Sequence, residues 1–205
     1  MTTLTIKSGK NNKLALKKEF LKLDLGCGQN KQAGFTGVDI KKVEGVDIVH
    51  DLFKFPWPFK DNSVFEIFCS HFFEHIPSSL RPKFMGEIYR ILLSPYEDDS
   101  GNKVGGKCTV ICPYFSSMRA VQDFTHEWPP ICEASFLYFN KSWRVQNKLT
   151  HYDIHCDFDF TYGYIINPPF SQKHDEAKSF AVAYYTNVVS DIQVILTKRK
   201  RTVGL

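Results

Sequence analysis

The sequence lacks long hydrophobic runs and has little net charge. No apolar stretch of the 205 residues approaches the ~20 residues of a membrane-spanning helix, and residues 1–20 lack the apolar centre of a signal peptide. Lys and Arg outnumber Asp and Glu by 26 to 22, so the charge permits an anionic partner without requiring one. At 43% hydrophobic and 15% aromatic residues, the chain can bury a large core, which excludes disorder as its main state. We expect a soluble, cytoplasmic protein.

The cysteines also lack the spacing of a metal or redox motif. There is no C-x-x-C, and several of the six cysteines lie inside apolar, strand-like segments. We therefore expect reduced, mostly buried thiols rather than a disulfide framework or a zinc site. The positions are Cys27, Cys69, Cys108, Cys112, Cys132 and Cys156.

Short apolar segments that end beside polar residues predict a sheet. We expect strands at Leu21–Leu25, Phe35–Ile40, Val46–Val49, Val64–Cys69, Cys108–Cys112, His155–Tyr164 and Val188–Lys198. Strand and helix patterns alternate, which favours an open α/β sheet with ligands at the carboxyl ends of its strands. No internal repeat is visible, and we expect one domain over residues 1–205.

The clearest helix lies between the fourth and fifth strands. Ser78 or Ser79 can cap it, and apolar residues recur at a spacing of four from Leu80 to Leu92, before Pro95. Elsewhere, residues 1–20 form an N-terminal extension that ends in a possible short helix at Leu14–Phe20. The polar, Gly-rich stretch Ser94–Gly106 predicts an exposed loop.

A glycine pair follows the first predicted strand directly, in the stretch Asp24–Gly28 (DLGCG). Glycine there lets the backbone turn tightly and lets a ligand touch the main chain, because no Cβ intervenes. The next predicted strand leads to Asp39, whose carboxylate can accept hydrogen bonds from both hydroxyls of a ribose. A further acid, Asp51, follows the third strand. This order of residues predicts a site for a nucleotide-like cofactor.

The spacing distinguishes between two cofactor types. A dinucleotide site has a third glycine and a helix whose N-terminus faces the pyrophosphate, but Lys31 stands at that position and residues 26–34 leave room for only a turn or two of helix. S-adenosylmethionine has no pyrophosphate and fits better. Asp24 would help to neutralise its cationic end, Asp39 would hold the ribose, and Asp51 or its flanking backbone would hold the adenine amine. A dinucleotide-dependent oxidoreductase and a catalytically silent binding module remain alternatives.

Several segments, in this order, resemble motifs of the class I S-adenosylmethionine-dependent methyltransferases. They are the glycine motif Leu23–Gly28, the acidic loop Gly37–Ile40, the third-strand loop His50–Leu52, the lead into the fourth strand at Pro56–Phe59 and Asp61–Ile67, the fourth-strand loop Ser70–His75, and the following helix at Glu87–Leu92. The fourth-strand loop is similar to that of the small-molecule branch related to the ubiquinone-biosynthesis methyltransferases. The match covers Phe20–Pro113, about half of the chain.

The resemblance implies a fold, a cofactor and a set of cofactor contacts. The fold would be a Rossmann-like, open and mostly parallel seven-stranded sheet with an antiparallel final strand and helices on both faces. The cofactor would be S-adenosyl-L-methionine, whose methyl group passes to an O or N nucleophile. Its contacts would be Asp24, Gly26, Cys27, Gly28, Asp39, Ile40, Asp51, Leu52, Ser70 and His71.

The chain after the fifth strand is expected to bind the methyl acceptor. His126, oriented by Asp123, has the chemistry of a general base. Tyr114 and Trp128 are candidate acceptor contacts, and residues 114–150 would form a cap over the acceptor. We expect a small-molecule acceptor, with a sugar or a nucleic acid as alternatives.

Two further motifs carry other chemistry. His71–His75 spells HxxEH, the inverted zinc-protease pattern, but it follows a strand directly instead of lying on a helix, so we expect no metal there. Asn167–Phe170 spells NPPF, as in amino-group methyltransferases that act on a flipped adenine. That motif works at the end of the fourth strand, a position that the HxxEH segment occupies here. A nucleic-acid amino-methyltransferase is therefore kept only as an alternative.

Overall fold

The computed structural model describes residues 20–97, 101 and 103–200 of the chain. The strands are β1 (Leu21–Leu25), β2 (Thr36–Asp39), β3 (Ile48–Val49), β4 (Val64–Ser70), β5 (Tyr96–Glu97), β6 (Lys103–Val104), β7 (Lys107–Pro113), β8 (Phe158–Ile166) and β9 (Val189–Lys198). The α-helices are α1 (Arg81–Ile91), α2 (Met118–Gln122), α3 (Lys141–Gln146) and α4 (Asp175–Tyr184). Short 3₁₀ helices lie at Phe73–His75, Glu133–Phe139 and Phe170–Gln172.

Seven of the strands form one sheet in the order β3-β2-β1-β4-β7-β9-β8. The pairs from β3 to β7 are all parallel, whereas β9 runs antiparallel to both of its neighbours, β7 and β8. The predicted Rossmann-like sheet with an antiparallel final strand is therefore confirmed. Because β1, β2, β4 and β7 are parallel, their carboxyl ends lie along one edge of the sheet.

The core lies between the central strands and α1. Leu23 and Leu25 of β1, Ile67 of β4, and Phe84 and Ile88 of α1 are all fully buried. Burial of each such side chain contributes roughly 1.5–3 kcal/mol, so the core anchors the strands that carry the loops at the carboxyl edge.

Helix α1 lies within the predicted apolar stripe from Leu80 to Leu92, but the residues that set its two ends differ from the prediction. It begins after Leu80, which makes no side-chain cap, so the predicted cap at Ser78 or Ser79 is wrong. Proline lies in the first turn, where an N–H would have no partner in the helix, and this lowers the need for a cap. The helix ends at Ile91, well before Pro95, because the Leu93 N–H donates to the Val64 carbonyl of β4, 2.7 Å away, and turns the chain onto the sheet.

The connection between β1 and β2 contains no helix. Residues 26–35, all of which the structure describes, form turns and irregular backbone, so the predicted turn or two of helix is wrong. The backbone amides there bond to other groups: Gly26 donates to the Val38 carbonyl at 2.8 Å, and Gln32 donates to Asp24 Oδ2 at 2.7 Å. These long-range partners replace the repeating helical hydrogen bonds.

Three other predictions concern the periphery. The segment predicted as the exposed loop Ser94–Gly106 contains the two-residue strands β5 and β6, which pair as an antiparallel hairpin. The possible helix Leu14–Phe20 lies outside the described residues, apart from Phe20. Within the described part of the chain, no helix is long and apolar enough to cross a membrane.

The thiols provide a test of the packing. All six cysteines lie among the described residues, and only Cys132 is partly exposed. Burial raises the pKa of the Cys27 thiol to about 11 and that of Cys156 to about 12, and it raises the pKa values of Cys69, Cys108 and Cys112 as well.

We expect one fast-reacting thiol in the native protein at pH 8 and six in denaturant, measured with a chromogenic disulfide reagent. Cys132→Ser should remove the fast phase and Cys156→Ser should leave it. Two or more fast thiols in the native protein would contradict this packing.

Candidate active site

Two hollows lie at the carboxyl edge of the sheet. The first, here called the glycine-loop pocket, is a cavity of about 70 Å³. Its lining residues are Gly26, Asp39, Ile40, His50, Asp51, Leu52, Phe53 and Phe72. The second, here called the histidine cleft, has a volume of about 240 Å³. Its lining residues are His71, Glu74, His75, Pro113, Arg119, Gln122, Asp123 and His126.

The glycine-loop pocket brings together half of the predicted cofactor contacts. Gly26 follows β1, Asp39 ends β2 and Ile40 follows it, and Asp51 and Leu52 lie beyond β3. These residues are distant along the chain, and they meet because β1, β2 and β3 pair in parallel. Phe53 was not predicted as a site residue. His50 and Phe72 lie in the predicted third-strand and fourth-strand loops but were not among the predicted contacts.

Gly26 is restricted to glycine for two reasons. Its φ angle is +70°, in the region that L side chains rarely adopt. A Cβ at this position would also overlap the ring of Phe72. The Phe72 side chain therefore lies directly over the start of the glycine loop.

Asp39 connects the end of β2 to the glycine loop. Its Oδ2 accepts a hydrogen bond from the Gly28 N–H at 2.9 Å, and its Oδ1 accepts one from the Lys41 N–H at 3.2 Å. A carboxylate has about four lone-pair sites, so Asp39 can still accept hydrogen bonds from a ligand.

Asp24 and Cys27 are buried behind the loop and do not line the pocket. Burial raises the pKa of Asp24, and the hydrogen bond from the Gln32 N–H partly offsets that effect. Burial also raises the pKa of Cys27, with the carboxylates of Asp24 and Asp39 adding to the rise. Both side chains thus shape the glycine loop from inside, and Gly28 contributes its backbone N–H to Asp39.

Glu74 is the buried acid of the histidine cleft. The residue is only 5% exposed, and its Oε1 lies 3.4 Å from His71 Nδ1. Its Oε2 is buried and has no hydrogen-bond partner among the described residues. The interaction with Glu74 raises the pKa of His71 above its ordinary value.

His75 and His126 face each other edge to face across the cleft, with ring centroids 4.8 Å apart. His75 Nδ1 lies 3.2 Å from the Thr125 carbonyl oxygen and 3.1 Å from Thr125 Oγ1. His126 Nδ1 lies 3.2 Å from the Ala120 carbonyl oxygen. Backbone acceptors therefore orient both rings.

The predicted pair of His126 and Asp123 lies in the cleft, but the two side chains are only loosely associated. Asp123 Oδ2 is 3.7 Å from His126 Nε2, which is longer than a hydrogen bond. Asp123 Oδ1 instead accepts hydrogen bonds from the N–H and hydroxyl of Thr125, at 2.9 and 2.7 Å. These hydrogen bonds lower the pKa of Asp123. Asp123 thus mainly shapes the turn that carries His126.

Arg81, at the start of α1, joins the two sides of the cleft. Its guanidinium donates to the carbonyl oxygens of Ile76, Pro129 and Glu127, at 3.0, 2.8 and 2.9 Å. The Glu127 N–H in turn donates to the Glu74 carbonyl at 2.9 Å. Arg81 itself is only 7% exposed, whereas Pro129 and Glu127 are exposed, so a buried guanidinium attaches this exposed segment to the start of α1.

Several predicted site residues do not line either hollow. Tyr114 is buried, and its hydroxyl donates to Glu133 Oε2 at 3.1 Å. Burial raises the pKa of Tyr114, and the neighbouring Tyr164 and Glu133 raise it further. Trp128 is 76% exposed, and Ser70 is half-buried at the end of β4. Asn167 follows β8, on the far side of β7 and β9 from β4, and its amide donates to the Asn187 carbonyl at 3.0 Å. The NPPF segment is therefore not beside the fourth-strand loop.

Part of the site carries no detectable sequence signal. Glu74 and His75 belong to the HxxEH segment of the sequence. Their position next to His126, however, depends on a turn more than 40 residues later in the chain. Phe72 reaches the glycine loop because the chain turns at His71, whose φ angle is +52°. A non-glycine residue with positive φ is not indicated by its neighbours in the sequence.

The overall fold matches solved structures at low sequence identity. An S-adenosylmethionine-dependent methyltransferase from Archaeoglobus fulgidus is 16% identical, with a TM-score of 0.60 over 89% of this chain and 87% of that chain. A putative methyltransferase from Haloferax volcanii, solved with the Trm112 methyltransferase activator, is 14% identical, with a TM-score of 0.52 over 90% of this chain and 84% of that chain. The [4+2]-cyclase SpnF is 15% identical, with a TM-score of 0.50 over 89% of this chain and 76% of that chain.

Neither a protein-family model nor a curated protein sequence matches the chain. The structural matches establish that the chain has the class I methyltransferase fold. Because a cyclase shares this fold, the activity has to be argued from the two hollows.

The role of Arg81 can be tested by replacing it. Arg81→Met removes the three hydrogen bonds that the buried guanidinium donates, so we expect the free energy of unfolding to fall by about 3 kcal/mol. Chemical denaturation measures the loss. Lys83→Met, an exposed position on the same helix, is the matched control and should change stability by less than about 0.5 kcal/mol. Equal stability of the two variants would show that Arg81 does not join the two sides of the cleft.

Proposed function

We propose that this protein transfers a methyl group from S-adenosyl-L-methionine to an O or N nucleophile of a small molecule. The observation that carries the proposal is the glycine-loop pocket, where Gly26, Asp39 and Asp51 meet at the carboxyl ends of parallel strands. The shared fold supports it.

The acids of the pocket suit the nucleoside part of this cofactor. Asp39 retains lone pairs for the two ribose hydroxyls, and Asp51, whose Oδ1 accepts the Phe53 N–H at 3.0 Å, would contact the adenine side. Ile40, Leu52 and Phe53 provide an apolar wall for the adenine ring.

The cofactor needs more room than the pocket offers as it stands. A cavity of about 70 Å³ is small beside the several hundred Å³ of ordinary ligand sites. Phe72 covers Gly26, where the methionine part of the cofactor would pass, so we expect its ring to turn away on binding. The loop that carries Phe72 also lines the histidine cleft, and its movement would connect the two hollows.

The histidine cleft is the acceptor side in this proposal. The acceptor's lone pair forms a bond to the methyl carbon, the carbon–sulfur bond breaks, and its electron pair stays on sulfur, releasing S-adenosylhomocysteine. The acceptor's proton passes to His126 or its neighbours in the cleft. The protein's main contribution is to hold the acceptor in line and to exclude water. Residues 114–150 supply one wall of the cleft and would act as the cap.

A dinucleotide cofactor fits these contacts less well. Lys31, at the position of the third glycine, forms an ion pair with Asp47 at 2.8 Å. Across residues 26–35, which are all described, no helix N-terminus follows the glycine loop to receive a pyrophosphate.

The cofactor is tested by thermal unfolding with S-adenosylhomocysteine, in parallel with NAD, NADP and buffer. A ligand at ~100 times its dissociation constant adds ~2.7 kcal/mol of stability, a shift of several degrees for a chain of this size. We expect a shift with S-adenosylhomocysteine alone. A shift with NAD instead would contradict our interpretation of the glycine loop, and no shift at all would favour a silent binding module.

The ribose contact is tested at Asp39. Asp39→Ala removes an ionised acceptor worth roughly 1.5–3 kcal/mol, so we expect S-adenosylhomocysteine to bind about 10- to 100-fold more weakly in calorimetry. Asp61→Ala, an exposed acid paired with Arg90 outside both hollows, is the matched control. Unchanged affinity in Asp39→Ala would rule out the ribose assignment.

A further inference from the structure

Three metal-ligating side chains converge in the histidine cleft. One ligand atom from each of Glu74, His75 and His126 lies within 4.8 Å of the others. The first two come from the 3₁₀ turn after β4, and the third comes from the segment after α2. Two imidazoles and one carboxylate form a donor set that suits divalent first-row transition metals.

One oxygen of the buried Glu74 carboxylate has no partner among the described residues. The residue is only 5% exposed, and its buried Oε2 makes no hydrogen bond within the described part of the chain. His71 contacts the other oxygen at 3.4 Å. An ionised carboxylate in this position is costly unless a cation or a donor faces it, and a bound metal ion supplies that positive charge.

The two histidines are oriented as metal ligands usually are. In each ring Nδ1 lies 3.2 Å from a backbone carbonyl oxygen, that of Thr125 for His75 and that of Ala120 for His126. A carbonyl oxygen can only accept, so the tautomer in which each Nδ1–H donates to its carbonyl would leave the Nε2 lone pair available to a metal ion. A carbonyl partner on the remote nitrogen is the arrangement that fixes the tautomer and ring orientation of metal-bound histidine.

We propose that Glu74, His75 and His126 bind a divalent transition metal ion, with Zn²⁺ as the best match to the donor set. Three protein ligands leave a fourth position open, as in zinc sites that act on a bound oxygen. The cleft of about 240 Å³ provides space there for water or a small ligand.

The consequence for catalysis rests on the proposed function. A hydroxyl of the methyl acceptor in the open position would lose its proton to solvent more readily, because the metal lowers the pKa of the bound oxygen. The resulting oxygen anion would attack the methyl group of the cofactor. His126 Nε2 cannot both bind the metal and accept a proton, so this assignment replaces the direct general-base role.

The proposed ligand set also differs from the HxxEH interpretation. In that pattern both histidines of one helix bind the metal, whereas here the segment is a 3₁₀ turn and His71 contacts Glu74 instead. The third ligand, His126, lies 51 residues beyond His75, and only the tertiary structure places it nearby.

Metal binding is tested on the full chain without a histidine tag, in the absence of cofactor and acceptor. After dialysis against a chelator, we expect one equivalent of Zn²⁺ to bind, measured by competition with a chromogenic indicator. Co²⁺ should give a visible absorption spectrum that Zn²⁺ abolishes. Glu74→Gln and His126→Ala should each weaken Zn²⁺ binding by at least 100-fold, and circular dichroism should verify that both variants fold. His155→Ala removes an exposed histidine elsewhere and should bind as the wild type does.

The outcomes separate this proposal from the proposed function. No Zn²⁺ binding by the wild type, or equal binding by Glu74→Gln, would overturn the metal site. If S-adenosylhomocysteine still stabilises that protein, the methyltransferase proposal stands, with His126 as a base. Zn²⁺ binding without any effect of S-adenosylhomocysteine would retain the metal site and refute the proposed cofactor.

Discussion

The parallel pairing of β1 with β2 on one side and β4 on the other is the constraint on which both hollows depend. In register, Leu25 of β1 lies opposite Val38 of β2, and Asp24 lies opposite Phe68 of β4. The three strands therefore end at nearly the same height. The loops that follow them must share one edge of the sheet. The residues that line the two hollows lie at these strand ends, on the loop after β3, or at the end of β7 and on the segment after it.

The loop after β4 belongs to both hollows. Phe72 covers the glycine loop on one side, and Glu74 and His75 line the histidine cleft on the other. Arg81 and the hydrogen bond from Glu127 to Glu74 attach this loop to the segment that carries His126. The four consecutive residues Phe72–His75 therefore connect the two hollows. In the proposed function, they would be a physical route by which cofactor binding affects the acceptor side.

The fold alone does not define the activity of this chain. The same architecture occurs in methyltransferases and in a [4+2]-cyclase. Function in a shared fold is set by the side chains of its sites. Here they are an acid-lined pocket beside a glycine loop, and a buried carboxylate opposite two oriented histidines.

The sequence by itself predicted the seven strands of the main sheet, because apolar periodicity is a local property. It also singled out five residues that the structure brings together at the glycine-loop pocket, because glycine spacing and acids at strand ends are local as well. It did not determine the missing helix after β1, the burial of Tyr114, or the encounter of Glu74 and His75 with His126. Those features depend on long-range hydrogen bonds and on a positive φ angle at His71, which neighbouring residues do not encode. Only the tertiary structure could decide them, because it alone brings segments 50 residues apart to within a few ångströms.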